Sequence, residues 1–246
     1  MTNIALIIIL PILSYFMGNC NWAIIISKIK KQNIREMGSG NPGTLNMSRN
    51  FGLKLGLLTF FLDILKGAIP VLVAFFVFHN QYFKSSNFPV SEFSIYLCGF
   101  SVVLGHIYPV LLKFKGGKGI ASSIGVFIVC EAVHGLWVVI IIMSLVAAVA
   151  FIYFTEFGAM GSFIAIIPSA ISGSIRLYIY YGNFVNKSYL ILYLLTNIFI
   201  FLICFLTCFA HRKNIDRMLS GDEHPTSIKA MVVKMKEKKM EENNKI

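Results

Sequence analysis

The sequence predicts an all-α, polytopic integral membrane protein, and its composition and apolar stretches carry that prediction. Of the 246 residues, 57% are hydrophobic and only 13% are charged, with a mean hydropathy of +0.74. A soluble domain carries about 25% charged residues. Several apolar stretches reach the roughly 20 residues that a helix needs to cross a bilayer. Little of the chain lies outside these stretches, so the sequence excludes a large soluble domain.

About seven transmembrane helices are expected, over residues 4–26, 52–78, 92–112, 120–133, 135–154, 163–181 and 189–210. Basic residues follow the first span and recur near residues 113–118 and beyond residue 211. By the positive-inside rule, they place the N-terminus outside and the C-terminus in the cytoplasm. A five-span count, with the shortest segments re-entrant, has the same parity and remains open. We expect one transmembrane domain over residues 1–223 and a basic cytoplasmic tail over residues 224–246.

The net charge and the cysteines narrow the class of ligand. In a chain that lies mostly in lipid, a formal net charge of +11 points to anionic lipids or anionic substrates before nucleic acid. The five cysteines all lie in apolar stretches and form no Cys-x-x-Cys pair. We therefore expect neither a disulfide framework nor a metal site.

The first polar loop follows the first span and covers residues 38–49. Its sequence is Gly-Ser-Gly-Asn-Pro-Gly-Thr-Leu-Asn-Met-Ser-Arg. Three glycines, a proline and several hydroxyl and amide groups predict a rigid turn rich in hydrogen bonds. A plain linker is the alternative, but the density of donors and the terminal Arg49 favour a site for an anion or substrate.

The second polar loop carries Gly116-Gly117-Lys118-Gly119 between two apolar segments. Glycine N–H groups can close around an oxyanion, and the first N–H groups of the next helix point back at the turn. Lys118 at a helix start opposes the helix dipole unless an anion offsets it. The alternative is a membrane-surface loop whose lysines only obey the positive-inside rule. A nucleotide P-loop is excluded, because Gly119 follows the lysine where Ser or Thr is needed.

Further polar groups could support these loops. Asp63 and Lys66 lie on one face of the second span, either as an ion pair within the membrane or as support for a site. A third break is expected over residues 155–162. If the last span continues as a helix, His211, Asn214 and Arg217 share an arc of about 120° that would face the loops.

Together these motifs resemble the bacterial membrane acyl-phosphate:glycerol-3-phosphate acyltransferase family. The resemblance rests on Ser-Gly-Asn-Pro-Gly-Thr-Leu-Asn with Arg49, on Gly-His-Ile-Tyr-Pro and Phe-Lys-Gly-Gly-Lys-Gly-Ile-Ala, and on His-Arg-Lys-Asn-Ile-Asp-Arg with Gly221 and Glu223. It implies a seven-span, monomeric enzyme of the bacterial cytoplasmic membrane with a cytoplasmic active site. That enzyme would transfer a fatty acyl chain from acyl phosphate to glycerol 3-phosphate, giving lysophosphatidic acid for phospholipid synthesis, with no cofactor, metal or nucleic acid.

The resemblance also implies roles for individual residues. It gives catalytic roles to Ser39, Arg49, Lys118, His211 and Asn214. It gives substrate or phosphate binding to Gly40, Asn41, Gly43, Asn46, His106, Gly116, Gly117, Gly119, Ser162, Arg217 and Glu223. Because an acyl phosphate is already activated, no acyl-enzyme intermediate is needed.

This chain departs from the family pattern at two positions. The family carries Ala-Thr-Asn where this chain has Thr44-Leu45-Asn46, and a serine where it has Ala159. Either departure could alter substrate preference or weaken activity.

Two alternatives compete with this interpretation. His211 and Asp216 form an H-x4-D string, the signature of another acyltransferase class, but they lie about 140° apart on a helix and we treat the string as a coincidence. A transporter or channel for organic phosphate anions would also use basic glycine breaks. It predicts an internal repeat and midplane sites, whereas these breaks share one membrane face.

Overall fold

The computed structural model describes residues 4–84, 86–182, 189–222, 226 and 233. Within these ranges the regular secondary structure is helical, apart from an isolated bridge between Tyr82 and Pro89. The predicted site residue Glu223 and most of the predicted tail, residues 224–246, lie outside the described residues. The helices are α1 (Ile4–Asn19), α2 (Trp22–Ile29), α3 (Thr44–Phe51), α4 (Leu53–Val77), α5 (Val90–Ile107), α6 (Ile120–Ala132), α7 (Val138–Thr155), α8 (Gly158–Tyr181), α9 (Leu190–Ala210) and α10 (Arg212–Ser220).

The helices confirm the predicted all-α membrane architecture. Six segments of the described chain are long and apolar enough to cross a membrane, namely Ile4–Ile29, Leu53–Val77, Val90–Leu112, Gly135–Thr155, Gly158–Tyr181 and Leu190–Ala210. The shorter α6 has 13 residues, or about 20 Å of helix. His134, just beyond α6, lies 2.8 Å from Glu92 at the start of α5, so α6 joins the two ends of the bundle. This path supports a seventh span, while the span count and the orientation stay predictions.

Helix α5 is the centre of the bundle, because it packs against α1, α4, α6 and α9 and is the most buried of the six long spans. Close backbone contact joins α4 to α6. A Cβ on Gly67 would clash with the carbonyl of Ser122, and one on Gly125 would clash with the carbonyl of Ile64. Small residues allow such close approach between helices in lipid.

The predicted first span, residues 4–26, lies within one candidate span, Ile4–Ile29, but this span consists of two helices, because the chain breaks between α1 and α2. The Asn21 side chain accepts a hydrogen bond from the Ile24 N–H at 3.0 Å and caps α2, while its amide group donates to Pro42 O at 3.2 Å. An asparagine side chain offers the backbone an alternative to continuous helix. The Lys66 ammonium donates to the Cys20 carbonyl that the break exposes, at 2.8 Å.

The predicted third break, residues 155–162, is much shorter in the structure. Glu156 and Phe157 alone separate α7 from α8, because Glu156 adopts a left-handed conformation (φ 61°) that reverses the chain at once. The first loop likewise includes the start of α3 at Thr44.

A sealed ion-pair network lies at the end of the bundle where α5 begins. The Arg176 guanidinium, which is 0% exposed, donates to both carboxylate oxygens of Glu92 at 3.1 and 3.2 Å and to the Tyr96 hydroxyl at 3.0 Å. His134 approaches the same carboxylate. We call Glu92, Tyr96, His134 and Arg176 the distal network. Because it joins α5 to α8 and to the end of α6, it fixes this end of the bundle.

Candidate active site

A cavity of about 690 Å³ opens at the opposite end, where the polar loops meet α8 and α10. Most of the predicted site residues line it, namely Ser39, Gly40, Asn41, Gly43, Asn46, Arg49, His106, Gly116, Lys118, Gly119, Ser162, His211, Asn214 and Arg217. Gly117 is absent from the described lining. Predicted site residues that are as many as 178 positions apart in the chain therefore share one concave surface, since both Ser39 and Arg217 belong to it.

The glycine turn is folded by its own backbone hydrogen bonds. The Gly116 N–H donates to Ile107 O at 3.2 Å, and the Gly117 N–H donates to His106 O at 3.1 Å. A Cβ on Gly117 would run into the His106 ring. The expectation that these two N–H groups surround an oxyanion is therefore corrected, because both are spent on closing the turn.

The first residues of α6 also lie at the cavity. Gly119 adopts a left-handed conformation (φ 85°) that directs the chain into α6, and Ile120 and Ala121 line the cavity. The first N–H groups of a helix have no partner within that helix and carry the positive end of its dipole. They thus offer the donors that the turn itself does not.

Lys118 connects the glycine turn to α10, because its ammonium group donates to Asn214 Oδ1. His211 lies beside this pair, 3% exposed, with Nδ1 2.8 Å from the Thr207 carbonyl. A carbonyl can only accept, so Nδ1 carries a proton, and in the neutral form of the ring Nε2 is then the acceptor nitrogen. Asp216 is exposed and is not among the described cavity residues, which agrees with a coincidental H-x4-D string.

The Asn46 side chain builds the first loop. Its amide nitrogen donates to Ile34 O at 3.2 Å and to Met37 O at 3.0 Å, and its Oδ1 accepts from the Ser39 N–H at 3.2 Å. Asn50 donates to the same oxygen at 3.0 Å. Because these bonds use both of its N–H groups and both acceptor positions of Oδ1, the structure revises the expected role of Asn46 from substrate contact to loop scaffold.

The predicted Asp63–Lys66 ion pair is present, with Oδ1 and Nζ 2.7 Å apart and both side chains buried. Asp63 also lines the cavity and lies 3.9 Å from Nδ1 of His106. The pair thus stabilises α4 and borders the site at the same time. Within the described lining, Asp63 is the single carboxylate, against six cations: Arg35, Arg49, Lys115, Lys118, Lys213 and Arg217.

The cavity combines a cationic rim with an apolar inner wall. Phe60, Ile124, Leu145, Ala148, Val149, Ile152 and Ala165 form that wall. Ile152 and Leu145 lie seven residues apart on α7, which is about 10 Å along a helix. The arrangement suits an amphipathic anion, because the rim attracts negative charge and the wall accepts a hydrocarbon chain.

Some cavity residues were missed as site residues by the sequence analysis. Arg35, Lys115 and Lys213 belong to the basic clusters, which were interpreted as indicators of membrane topology and not as parts of a site. Thr226 lies in the predicted tail, and nothing in its local sequence indicated the cavity. Among the described residues, no group of three or more His, Cys, Asp or Glu side chains could hold a metal ion.

Comparison with known proteins identifies the family. The family model described as "Glycerol-3-phosphate acyltransferase" matches residues 8–221. A glycerol-3-phosphate acyltransferase of Finegoldia magna is 35% identical over 224 residues, covering 90% of this chain and 96% of the relative. One of Aquifex aeolicus is 33% identical over 216 residues, covering 87% and 96%.

Two solved structures agree with these relatives. Both are crystal structures of PlsY (YgiH), an integral membrane glycerol 3-phosphate acyltransferase. The glycerol 3-phosphate form has a TM-score of 0.68 and 30% identity, covering 89% of this chain and 94% of that chain. The lysophosphatidic acid form has a TM-score of 0.66 and 29% identity, with the same coverage. The chain therefore belongs to the glycerol-3-phosphate acyltransferase family, as its motifs predicted.

Proposed function

We propose that this protein transfers a fatty acyl group from acyl phosphate to glycerol 3-phosphate and so forms lysophosphatidic acid. The observation that carries the proposal is that one cavity combines six cations at its rim, among the described residues, with an apolar inner wall. An acyl phosphate has the matching shape, an anionic head on a hydrocarbon chain. Glycerol 3-phosphate brings a second anion, so an excess of cations is what the two substrates together require.

The reaction needs alignment and charge stabilisation more than covalent catalysis. The glycerol hydroxyl oxygen attacks the acyl carbonyl carbon, an ester C–O bond forms, and the bond from carbon to the phosphate oxygen breaks. Phosphate leaves with the electron pair of that bond, and it can take the hydroxyl proton itself. Lys118, Arg49 and the N–H groups at the start of α6 would bind the phosphates and stabilise the developing charge.

Neighbouring side chains would orient the reacting groups. With Nδ1 bonded to Thr207, the Nε2 of His211 can accept a hydrogen bond from the glycerol hydroxyl, and it is the alternative proton acceptor. Asn214, held by Lys118, lies on the same face of α10. Ser39 and Ser162 also line the cavity, and the Ser162 hydroxyl donates to Gly158 O at 2.9 Å, which leaves its oxygen able to accept.

We place the site at the cytoplasmic side of a bacterial cytoplasmic membrane, in a monomer. The basic residues that follow α2 and α9 and those of the glycine turn lie at the end of the bundle that holds the cavity, since Arg35 contacts Lys115 and Lys118 contacts Asn214. Single cysteines introduced into a cysteine-free background test this side. A membrane-impermeant reagent applied to intact cells should label position 81 and spare positions 41 and 115. Labelling of position 115 from outside would contradict the cytoplasmic site.

Activity is tested with purified protein, palmitoyl phosphate and radiolabelled glycerol 3-phosphate in detergent containing EDTA. We expect labelled lysophosphatidic acid and stoichiometric inorganic phosphate, with no product when palmitoyl-CoA replaces the acyl phosphate. Product from palmitoyl-CoA alone would refute the proposed donor. Uptake of glycerol 3-phosphate into liposomes without any acylated product would instead support a transporter.

A further inference from the structure

Thr226 is a buried threonine at the edge of the cavity, although it lies in the predicted solvent-exposed tail. It comes five residues after Gly221, where α10 ends in a left-handed conformation (φ 80°). Its side chain is only 4% exposed. A hydroxyl group removed from water requires hydrogen-bond partners, so its surroundings must supply them.

Three elements of the site meet at this residue. The Thr226 N–H donates to the carbonyl of Glu156 at 2.8 Å, at the short junction between α7 and α8. The Arg49 guanidinium donates from Nη2 to the Thr226 hydroxyl oxygen at 3.3 Å. A Cβ on Gly158 would come within 2.7 Å of that same hydroxyl oxygen, so the first residue of α8 must be small for Thr226 to dock.

Arg49 is the partner for which this contact matters. It lies at the exposed rim of the cavity, in the last turn of α3. A guanidinium has five N–H donors in a fixed plane, so the bond to Thr226 restricts the directions in which the whole group can point. Fixing such a side chain in advance lowers the entropy lost when it binds an anion.

We propose that Thr226, anchored on the α7–α8 junction, is a positioning residue for Arg49 and in this way completes the anion-binding rim. The expected effect of Thr226 on turnover rests on the proposed function. Its effect on how tightly the rim binds a phosphate group does not, because binding can be measured without turnover. The predicted boundary at residue 223 then cuts through the functional unit.

The test compares three threonine variants. Thr226→Val keeps the shape but removes the hydrogen-bond acceptor, Thr226→Ser keeps the hydroxyl, and Thr196→Val is a matched control on α9. Thr196 is also buried, its hydroxyl donates to Leu192 O, and it is not among the described cavity residues. We expect Thr226→Val to raise the KM for one of the two anionic substrates roughly three- to tenfold, with kcat within about twofold of the wild type. Thr226→Ser and the control should match the wild type.

A second measurement separates positioning from a structural role and from failure of the proposed function. Binding of glycerol 3-phosphate and of inorganic phosphate is measured calorimetrically in detergent, which needs no turnover. Thr226→Val should weaken at least one of these affinities by the same factor as it raises KM, and it should add nothing in an Arg49→Ala background. If the wild type binds but does not turn over, this result still supports positioning while the proposed function fails.

Opposite outcomes would overturn the inference. Unchanged KM and affinity in folded Thr226→Val would do so, as would an equal loss with and without Arg49. If Thr226→Val does not fold, Gly158→Ala provides the second variant, because its added methyl group displaces the Thr226 hydroxyl. Wild-type affinity in Gly158→Ala would then count against the proposal.

Discussion

The two ends of the bundle hold polar clusters of similar residue types in opposite arrangements. In the distal network, Arg176 faces Glu92, with His134 and Tyr96 around the same pair, and the ion pair is closed off from solvent. At the other end, six described cations and one carboxylate surround an open cavity. One cluster is balanced and sealed, while the other is unbalanced and open.

The difference follows from the cost of placing charge in a membrane. A buried ion must be paired, because removing an unpaired ion from water costs on the order of several kcal/mol. The distal network meets this condition internally and needs no ligand. The rim cations stay close to water and carry an excess of charge that an anion can neutralise. An excess of charge of one sign beside an open cavity thus distinguishes a binding site from a buried ion pair that only supports the fold.

The first test of this contrast removes the cation of the distal network. Arg176→Met should destabilise the folded protein by about 3–5 kcal/mol, because Glu92 is left buried without its main partner. The melting temperature in detergent should fall clearly, while kcat/KM per folded molecule stays within about twofold. Lys54→Met, at an exposed lysine, is the control for loss of a positive charge. Loss of turnover without loss of stability would place the distal network in the reaction.

The second test removes a cation of the cavity. Lys118→Ala should lower kcat/KM by one to two decades, the equivalent of about 1.5–3 kcal/mol for a charge-assisted contact, with little change in melting temperature. Lys113→Ala is the control, since Lys113 belongs to the same basic cluster but not to the described lining of the cavity. Equal, small losses of kcat/KM at both positions would indicate that these lysines only set the membrane topology.

The third test concerns the face of α10. His211→Ala and Asn214→Ala should each lower kcat by about a decade, because both side chains line the cavity and would orient substrate. Asp216→Asn should stay within about twofold of the wild type, as the exposed carboxylate takes no part in proton transfer. A severe defect in well-folded Asp216→Asn would restore the H-x4-D interpretation, in which that carboxylate orients the histidine.

These contrasts also explain how much could be predicted from the sequence. Hydropathy identified the long helices, because lipid demands apolar spans of nearly fixed length. The glycine-rich motifs, Arg49, Lys118 and the His211–Arg217 face were predicted to share one surface, and all of their predicted site residues except Gly117 line one cavity. In each case the signal was local in the chain.

The features that escaped prediction depend on how the chain folds back on itself, over short or long distances in sequence. The Gly116 and Gly117 N–H groups bond to carbonyls at residues 107 and 106, and the Asn46 side chain bonds to carbonyls of nearby residues. Groups that could bind a substrate therefore hold the loops in shape instead. Arg49 and Thr226 are 177 residues apart. No pattern of spacing indicates such a contact before the helices have packed.

The smallest expected effect concerns the departure in the first motif. Thr44 and Leu45 both line the cavity, Thr44 as the first residue of α3 and Leu45 facing the start of α8, where a Cβ on Gly158 would lie 3.4 Å from the leucine Cδ1. Leu45 therefore packs against α8, while Thr44 supplies the nearest hydroxyl group in this part of the motif.

If Thr44 has taken over the hydroxyl that the family carries at the next position, the two substitutions should differ. Thr44→Val should lower kcat/KM roughly three- to tenfold, the scale of one neutral hydrogen bond. Leu45→Thr should stay within about twofold, because the hydroxyl it adds duplicates one already present, and any loss should appear as a lower melting temperature from weaker packing on α8. Steady-state kinetics and thermal unfolding of both variants decide the matter. A large gain in kcat/KM from Leu45→Thr would mean that the Thr44 hydroxyl does not replace the missing one, and that Leu45 lowers the activity of this protein.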